Sequence, residues 1–529
     1  MNTKENYKNK KKKIIEFLAI FILVIIILDL QFFGMYGKTT FMMDNTGIWE
    51  GGYRATLGQR AFIDYYIPYG TLVFEIQSVF NHVFGSNLGS MALHTFVLSA
   101  ILCVIFYFLL RKEFGYFLSS VFSLFFYISF AGVSFIPYYN LYAYFFLFLN
   151  LFLLYKHKDE KTLPGFVYIL SAVLGVLSFY SKQDIGLLQI FFILLYFLFN
   201  YIKDLKKIVL NYFVFSIVLL VSSHFAFSGM LEGFRYWFNI GQPPHTSRFS
   251  NFFEPEKILS ILESWKLYVF IVFSFFVISN KAKSNKKIMS LFLVISGVSI
   301  ISSMISNPTR QIMIIGIPLM IFLIYLVLKN SLPKIMEKEK KLISVILILI
   351  LFCTVNPFPT YGLMALNYIN IGSEKISSEN YAVQDIVRIP SGCYGGFPMS
   401  KADYSDLLQV REFIKTYGTD FVSFTMFTFI YCDYQIEPPK NLPLLLHEDV
   451  YYFKENIPNI VNAIIERNPK IVMLQNTHSY NPDLWEIEDL LLKKGYYKAR
   501  ETNATSISMS PIHFLLKNGA LPIEANISE

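Results

Sequence analysis

Long apolar runs recur along most of this chain of 529 residues. A helix needs about 20 apolar residues to cross the hydrocarbon core of a bilayer. Runs of that length begin near Lys13, Leu88, Phe117, Tyr138, Pro164, Gly186, Ile208, Leu267, Ile288, Gln311 and Leu342. The hydrophobic fraction of 54% excludes an ordinary soluble protein of this size. We therefore predict a polytopic α-helical membrane protein with about 11 transmembrane helices.

Basic residues lie in short clusters between these runs. The clusters are the N-terminus, Arg111-Lys112, Lys156 to Lys161, Lys203 to Lys207, Lys281 to Lys287, and Lys329 to Lys341. They occupy every second connection, so the positive-inside rule predicts a cytoplasmic N-terminus. This placement also explains the net charge of +8 without a nucleic-acid partner.

The N-terminal segment reads MNTKENYKNKKKK followed by IIEFLAIFILVIIIL. A basic stretch before an apolar one resembles a signal peptide, but no small-residue cleavage site follows. We interpret the segment as an uncleaved anchor, and the protein as a multi-pass protein of the inner (cytoplasmic) membrane.

The character of the sequence changes after about Pro357. Strand-like runs such as DFVSF and KIVMLQN alternate with helical patterns such as IPNIVNAIIER and WEIEDLLLKKGY. We predict a transmembrane domain over residues 1–356 and an extracytoplasmic α/β domain over residues 357–529. Cys393 and Cys432 both fall in the second domain. An oxidising compartment would permit a disulfide between them, and two unpaired thiols are the alternative.

Charged residues directly follow the first apolar run, in a predicted outer loop over residues 33–88. The stretch from Asp44 to Gly70 reads DNTGIWEGGYRATLGQRAFIDYYIPYG. Ionisable groups close to a bilayer tend to face a cavity or a transport pathway. This loop is therefore the first place to look for a functional site.

The spacing of this stretch resembles the first periplasmic loop of GT-C superfamily glycosyltransferases. The shared elements are Asp44-x-x-Gly47, Gly58-Gln59, Phe62-x-Asp64-Tyr65 and Pro68-Tyr69-Gly70. The resemblance is to the bacterial branch related to aminoarabinose transferases and protein O-mannosyltransferases. It implies a GT-C-like multi-helix fold, an active site on the outer face, and polyprenyl-phosphate sugars as donors. The paired acidic motif usual in such proteins is absent, because Asn45 follows Asp44.

Glycosyl transfer from a lipid phosphate needs a general base for the acceptor hydroxyl, and a carboxylate can serve. We predict Asp44 as this base, with an exposed loop carboxylate as the alternative. Asp64 and Glu50 are possible supporting carboxylates, and Asp64 could instead cap a helix. One displacement at the anomeric carbon inverts its configuration, so a single base suffices.

Cations are needed to hold the departing phosphate. The candidates in predicted outer segments are Lys182, Arg54, Arg60 and Arg310. Lys182 lies in the turn SKQD between two spans, where a lysine reaching from a helix end toward water is the ordinary alternative.

A second predicted outer loop runs from Gly229 to Lys266. It mixes aromatic and basic residues that suit a sugar and an anionic lipid head, namely Arg235, Trp237, His245 and Arg248. An interfacial aromatic belt is the alternative. We predict no cofactor and no bound metal, because no His, Cys, Asp and Glu cluster has ligand spacing, although a divalent metal stays open.

The sequence thus predicts an inverting glycosyltransferase. It would move a sugar from a polyprenyl-phosphate donor to a hydroxyl of an acceptor glycolipid, glycan or protein on the outer face. A transporter or flippase of a lipid-linked glycan is one alternative, although it would favour repeats and broken helices. An O-antigen-type ligase is another, although the charged motif here lies early in the chain.

Overall fold

The described residues up to Ser331 are mainly helical, and those from Ser377 onward mix short strands with helices. A computed structural model describes residues 3–37, 42–67, 70–131, 137–228, 286–306, 317–331, 333–334, 339, 343, 346, 377–378, 381–382, 386–446, 452, 454–475, 483–502 and 511–523.

Most of the described helices up to residue 331 follow the apolar runs of the sequence. The helices in this part of the chain are α1 (Thr3–Gly37), α2 (Met42–Thr56), α3 (Leu72–Phe84), α4 (Leu88–Ala131), α5 (Tyr139–Lys156), α6 (Gly165–Ser181), α7 (Gln183–Tyr201), α8 (Leu205–Lys207), α9 (Phe215–Ser228), α10 (Lys286–Ser306) and α11 (Ile317–Ser331). Helix α2 instead lies in the charged stretch that was predicted to be an outer loop. One short strand, β1 (Tyr65–Tyr66), lies between α2 and α3.

The C-terminal region alternates strands and helices. Its strands are β2 (Ser377–Ser378), β3 (Tyr381–Ala382), β4 (Ile386–Arg388), β5 (Pro398–Ser400), β6 (Phe421–Phe424), β7 (Leu442–Pro443), β8 (Ile471–Gln475), β9 (Tyr496–Glu501) and β10 (Ile512–Lys517). Its helices are α12 (Lys401–Tyr417), α13 (Ile430–Asp433), α14 (Ile457–Arg467) and α15 (Asp483–Lys493).

These elements form two compact units. The helical unit contains Met1–Gly34, Ala92–His224 and Arg248–Gly362. Within the described residues, three helical stretches are long and apolar enough to cross a membrane, and they are Lys10–Tyr36, Leu88–Phe130 and Gln183–Ser223. Gly165–Ser181 and Pro318–Asn330 are shorter apolar helices.

Helix α4 is two antiparallel helices joined at Gly115, whose φ of 75° and ψ of −177° are not helical. The rings of Phe106 and Phe126 have centroids 4.7 Å apart, and those of Phe114 and Phe122 are 5.0 Å apart. Such pairs, symmetric about the turn, require the chain to fold back on itself. The two apolar runs predicted to begin near Leu88 and Phe117 are therefore separate helices, and Arg111-Lys112 lie beside their turn.

Several basic clusters meet at one end of the helical unit. Arg111 forms an ion pair with Glu16 of α1, and Lys329 of α11 lies 2.6 Å from the Glu113 carboxylate. Lys287 of α10 donates to the backbone oxygen of Glu160, which follows the end of α5, over 2.5 Å. The Tyr155 ring, at the end of α5, lies 5.7 Å from the Phe322 ring of α11 and so links the two groups. We call this the basic end.

The opposite end carries the turn between α6 and α7. Helix α6 begins just beyond the basic end and has 17 residues, a length of about 25 Å. Lys182 follows it in extended conformation, with φ −150° and ψ 118°. At Gly186 a Cβ atom would clash with the backbone of Phe179, so glycine lets the two helices meet closely after the turn.

The mixed unit contains Met35–Met91, Phe225–Ser247 and Leu363–Glu529. Its largest described sheet has the strand order β6-β8-β10-β9. Strand β6 is parallel to β8, with Phe421 opposite Ile471, whereas β10 is antiparallel to both β8 and β9. The apolar faces of α14 and α15 pack on this sheet through buried residues that include Ile460, Ile464, Ile487, Leu491, Val472 and Leu515.

The strands and helices expected in DFVSF, KIVMLQN, IPNIVNAIIER and WEIEDLLLKKGY are present as β6, β8, α14 and α15. Met35–Met91, which include most of the predicted outer loop, belong to the same compact unit as Leu363–Glu529. The predicted division into residues 1–356 and 357–529 stays a prediction. The boundary expected at residues 356 and 357 lies outside the described residues.

Candidate functional site

Helix α2 carries the predicted base. Asp44 lies in the first turn of this helix, and its side chain is outside the described residues. A helix N-terminus favours the ionised form of a nearby carboxylate. The hydroxyl of Thr46 donates a hydrogen bond to the backbone oxygen of Met426 over 2.7 Å. This bond, which lies just after Asp44 in the sequence, anchors the first turn of α2 to the C-terminal region.

Trp49 forms the apolar contact between α2 and the C-terminal region. Its side chain is fully buried. The indole stacks on Tyr53 and meets the edge of Tyr394, with centroids 5.7 Å apart in both pairs. Tyr394 in turn stacks on Phe429 at 4.8 Å. This aromatic stack fixes the rotation of α2 about its axis.

Glu50 and Arg54 form a buried ion pair on the same helix. Nε and Nη2 of Arg54 lie 2.8 Å and 2.7 Å from Oε1 of Glu50. The two side chains are only 1% and 2% exposed. The guanidinium also lies over the Tyr65 ring, 5.0 Å from its centroid. A buried charge is tolerated when it is paired and hydrogen-bonded in this way.

Arg54 and Gln59 bind the backbone of a distant segment. Nη1 of Arg54 donates to the Gln59 side chain over 3.0 Å and to the backbone oxygen of Pro439 over 2.8 Å. The Gln59 amide donates to the backbone oxygen of Pro438 over 2.7 Å and to Glu437 over 3.1 Å. We call Glu50, Arg54 and Gln59 the anchor. Its donors mostly face protein oxygens, which makes it a structural clamp.

The anchor has an unusual carboxyl group. Burial raises the pKa of Glu50 to about 6, although the charge of Arg54 acts to lower it. Oxygen Oε2 of Glu50 has no hydrogen-bond partner within the described residues. The ion pair therefore compensates only a fraction of the cost of removing this carboxylate from water.

Asp64 closes a turn with the residues that precede it. Its Oδ2 accepts a hydrogen bond from the backbone N–H of Arg60 over 2.7 Å. Its Oδ1 lies 3.4 Å from Nζ of Lys440. The side chain of Arg60 is exposed. Of the two arginines in the motif, Arg60 is thus the one that water and ligands can reach.

A short parallel strand pair continues this attachment. Tyr65 of β1 is opposite Leu442 of β7, and Tyr66 is opposite Pro443. The backbone N–H of Asn441 also donates to the oxygen of Asp64 over 2.7 Å. Backbone pairing, ion pairing and aromatic stacking together attach residues 46–66 to the C-terminal region.

Helix α3 buries its polar side and exposes an apolar one. Gln77 donates to Asn81 over 2.8 Å, and Ser90 donates to the same Asn81 oxygen over 2.8 Å. By contrast, Val79 and Val83 are 60% and 67% exposed. Exposed apolar groups on a helix with buried polar ones are expected where the helix lies against lipid.

Cys393 and Cys432 form a disulfide, with Cα atoms 6.1 Å apart. The sequence left this pairing open, because it does not contain the distance. Next to the bond, Asp433 accepts from the backbone N–H of Cys393 over 2.7 Å and from Arg411 over 2.5 Å. Burial raises the pKa of Asp433, and Arg411 offsets some of that shift.

Lys182 belongs to the helical unit. Its Nζ lies 3.7 Å from the Asp184 carboxylate and 5.5 Å from the centroid of the Tyr139 ring. Lys182 and Asp184 each retain 12% side-chain exposure. The hydroxyls of Tyr138 and Tyr139 are 2.6 Å apart. This turn therefore presents an ammonium group, a carboxylate and two phenols, which suits a polar or anionic ligand.

The other predicted site residues lie outside the described residues, and they are Arg235, Trp237, His245, Arg248 and Arg310. Among the residues that are described, no three or more His, Cys, Asp and Glu side chains lie close enough to hold a metal ion.

The sequence interpretation did not identify Trp49, Gln59 and the Pro438-Pro439 backbone as the groups that attach α2 to the C-terminal region. One signal was present in the adjacent Gly51 and Gly52. A Cβ atom at Gly51 would clash with the Phe74 ring, and one at Gly52 would clash with Gln77. Two adjacent glycines inside a helix indicate such a close approach, since glycine otherwise weakens a helix.

Comparisons with known proteins give a result only at the level of structure. No protein-family model matches the sequence. No curated protein matches it. The solved structures include one described as ArnT from Cupriavidus metallidurans bound to undecaprenyl phosphate. It superposes with a TM-score of 0.51 at 8% identity, over 94% of this chain and 97% of that one.

An oligosaccharyltransferase from Archaeoglobus fulgidus, in complex with Zn and sulfate, gives a TM-score of 0.46 at 12% identity. That match spans 93% of this chain and 72% of the other. The ArnT likeness runs over nearly the whole of both chains and confirms the fold expected from the loop motif. The protein has an ArnT-like fold over nearly its whole length.

Proposed function

We propose that the protein is an inverting glycosyltransferase that moves a sugar from a polyprenyl-phosphate donor to an acceptor hydroxyl. The observation that carries this proposal is the ArnT-like fold. The superposition includes nearly the whole chain, and the ArnT structure holds undecaprenyl phosphate, a lipid carrier of the proposed donor class. Neither a flippase nor an O-antigen-type ligase has a comparable observation in its favour.

The distribution of charge supports a reaction on the outer face of the cytoplasmic membrane. The basic end of the helical unit gathers Arg111, Lys287 and Lys329, and the positive-inside rule assigns that end to the cytoplasm. The Lys182 turn then lies on the outer side. The disulfide between Cys393 and Cys432 supports an extracytoplasmic C-terminal region, because such bonds persist in oxidising compartments.

Asp44 acts as the general base in this proposal. The acceptor oxygen attacks the anomeric carbon, its proton passes to the Asp44 carboxylate, and the bond from that carbon to the phosphate oxygen breaks. The polyprenyl phosphate leaves with the electron pair, and the anomeric configuration inverts. Asp44 lies in the first turn of α2, and the positive end of a helix dipole is a suitable place for a carboxylate that acts as a base.

Cations on the outer side hold the phosphate. We assign this role to Lys182 and Arg60, with Arg310 as a further candidate. Arg54 was a candidate from sequence, but its donors bind Glu50, Gln59 and Pro439, so we propose that it positions α2 instead. Asp64 would fix the Arg60 turn. We keep Arg235, Trp237, His245 and Arg248 as the proposed substrate loop.

The test is Asp44→Asn in the purified full-length protein. Membrane-extracted polyprenyl-phosphate sugars serve as donors, and released polyprenyl phosphate is measured. Removing a general base should lower the rate about 100-fold or more. Asp159→Asn is the matched control, because this carboxylate is 87% exposed beside Lys158 and has no part in the proposed site, and it should retain most of the activity. Unchanged release by Asp44→Asn would refute the assignment of the base. If the unsubstituted protein moves the donor across vesicles without releasing polyprenyl phosphate, it is a transporter.

A further inference from the structure

A basic cleft lies at the basic end of the helical unit, between α1 and the turn of α4. It is lined by Lys10, Lys12, Lys13, Glu16, Arg111, Lys112 and Tyr116, and its volume is about 720 Å³. Sites for small organic molecules have volumes of about 300–1,000 Å³. The cleft is therefore large enough for a ligand, and nothing in the proposed sugar transfer uses it.

The charge of the cleft favours an anion. Five of the lining side chains are cationic and one is a carboxylate. That carboxylate, Glu16, is paired with Arg111. Lys12, Lys13 and Lys112 are exposed and form no ion pair within the described stretches of the chain. The three ammonium groups thus remain available to a ligand.

An apolar surface begins where the charges end. Ile14 follows Lys13 directly and is 51% exposed, and Phe17 and Phe21, further along the same face of α1, are 67% and 53% exposed. On the other side of the cleft, Phe117 is 78% exposed. A ligand that fills the cleft can therefore continue along an apolar surface toward the membrane interior.

We propose that this cleft binds the head group of an anionic phospholipid, whose acyl chains lie along α1. The phosphate contacts the lysines and Arg111, and the Tyr116 hydroxyl is placed to donate to it. Basic pockets at the membrane boundary are a recognised way of holding acidic lipids. A soluble anion would use the charges but not the apolar surface. This inference does not depend on glycosyl transfer.

The experiment compares phosphatidylglycerol with phosphatidylcholine carrying identical acyl chains. Each is titrated into the detergent-purified full-length protein, and bound lipid is counted by native mass spectrometry. The test variant is Lys12→Gln/Lys13→Gln/Lys112→Gln. The matched control is Lys161→Gln/Lys203→Gln/Lys206→Gln, which removes the same charge outside the cleft. Melting temperatures without lipid verify that both variants fold.

We expect the unsubstituted protein to prefer phosphatidylglycerol. Since each basic residue near a surface contributes roughly fivefold, the test variant should lose more than tenfold of that preference at low salt. The control should keep it. An equal loss in both variants, or none in the test variant, would overturn the proposal. So would inorganic phosphate displacing the lipid at equal concentration, because the apolar surface would then contribute nothing.

Discussion

Two arginine–glutamate pairs lie in different surroundings in this protein. Arg54 and Glu50 are almost fully buried in the mixed unit, whereas Arg111 and Glu16 at the basic end retain 31% and 20% side-chain exposure. The buried pair is surrounded by further acceptors, including the backbone oxygen of Pro439. The other pair borders a cleft with four unpaired or exposed cations around it.

The difference shows why charged residues beside an apolar run do not all serve chemistry. A buried pair is expensive to break, because each partner would be left charged and without water. A partly exposed pair gains little from its contact, because water screens both charges. The same two residue types therefore clamp two segments in one place and present charge to a ligand in the other.

The largest change in stability should follow from Arg54→Ala. It leaves the Glu50 carboxylate buried without its partner, and we expect a loss of about 3–5 kcal/mol in the free energy of unfolding. Arg111→Ala should cost about 1 kcal/mol or less. Chemical unfolding of both detergent-purified variants measures the two values. The double change Glu50→Leu/Arg54→Met should recover most of the loss. Equal losses of unfolding free energy in Arg54→Ala and Arg111→Ala would contradict the proposed difference between the buried pair and the exposed pair.

The second effect concerns pH. The pKa of Glu50 is raised to about 6 from 4.5 in a solvated chain. Because the folded protein binds this proton more tightly, its contribution to stability is fully present below pH 4.5 and lost as pH rises through 6. The shift corresponds to about 2 kcal/mol.

Unfolding free energies measured from pH 4 to 7 should therefore show this fall in the unsubstituted protein. Glu50→Gln should make that section of the curve shallower by about 2 kcal/mol. Burial also raises the pKa of Asp406 to about 6, so a slope from that group should remain. Glu16→Gln is the matched control that should leave the curve unchanged. A curve that keeps its full slope in Glu50→Gln would show that another group carries the titration.

The smallest effect is a response to salt. At an ionic strength of 0.1 M, the interaction between exposed charges decays over about 10 Å, and it decays over a shorter distance as salt rises. Buried charges are screened much less. Raising salt from 50 to 500 mM should reduce the cost of Arg111→Ala by a few tenths of a kcal/mol. The cost of Arg54→Ala should stay constant. If the loss of unfolding free energy caused by Arg54→Ala falls as salt rises, water reaches the anchor.

Local patterns predicted much of the architecture. The apolar runs from Leu88 and Phe117 gave two helices, and the cations at Arg111-Lys112 marked their connection. The run IPNIVNAIIER has an apolar face at helical spacing and is α14. Features of this kind depend on neighbours within about one or two turns, so the sequence alone contains them.

The anchor could not be predicted in this way. Glu50 and Arg54 are four residues apart and could have been paired from spacing, but nothing local shows that Pro439 lies beside them. The acceptors in that segment are backbone oxygens, which carry no residue-specific signal. For the same reason, the Cys393–Cys432 pairing was left open, because only the folded chain brings the two Cα atoms within 6.1 Å.

The contact between Arg54 and Pro439 spans 385 residues, and this separation has a consequence for biogenesis. At synthesis rates of 5–20 residues per second, the ribosome needs roughly 20 to 80 s to make the intervening chain. During that interval Arg54 and Gln59 lack the backbone oxygens of Pro439 and Pro438, and Trp49 lacks its contact with Tyr394. A nascent chain that stops before Pro439 therefore cannot complete the loop that carries Asp44. The segment that carries the proposed base therefore completes its contacts only after most of the chain has been made.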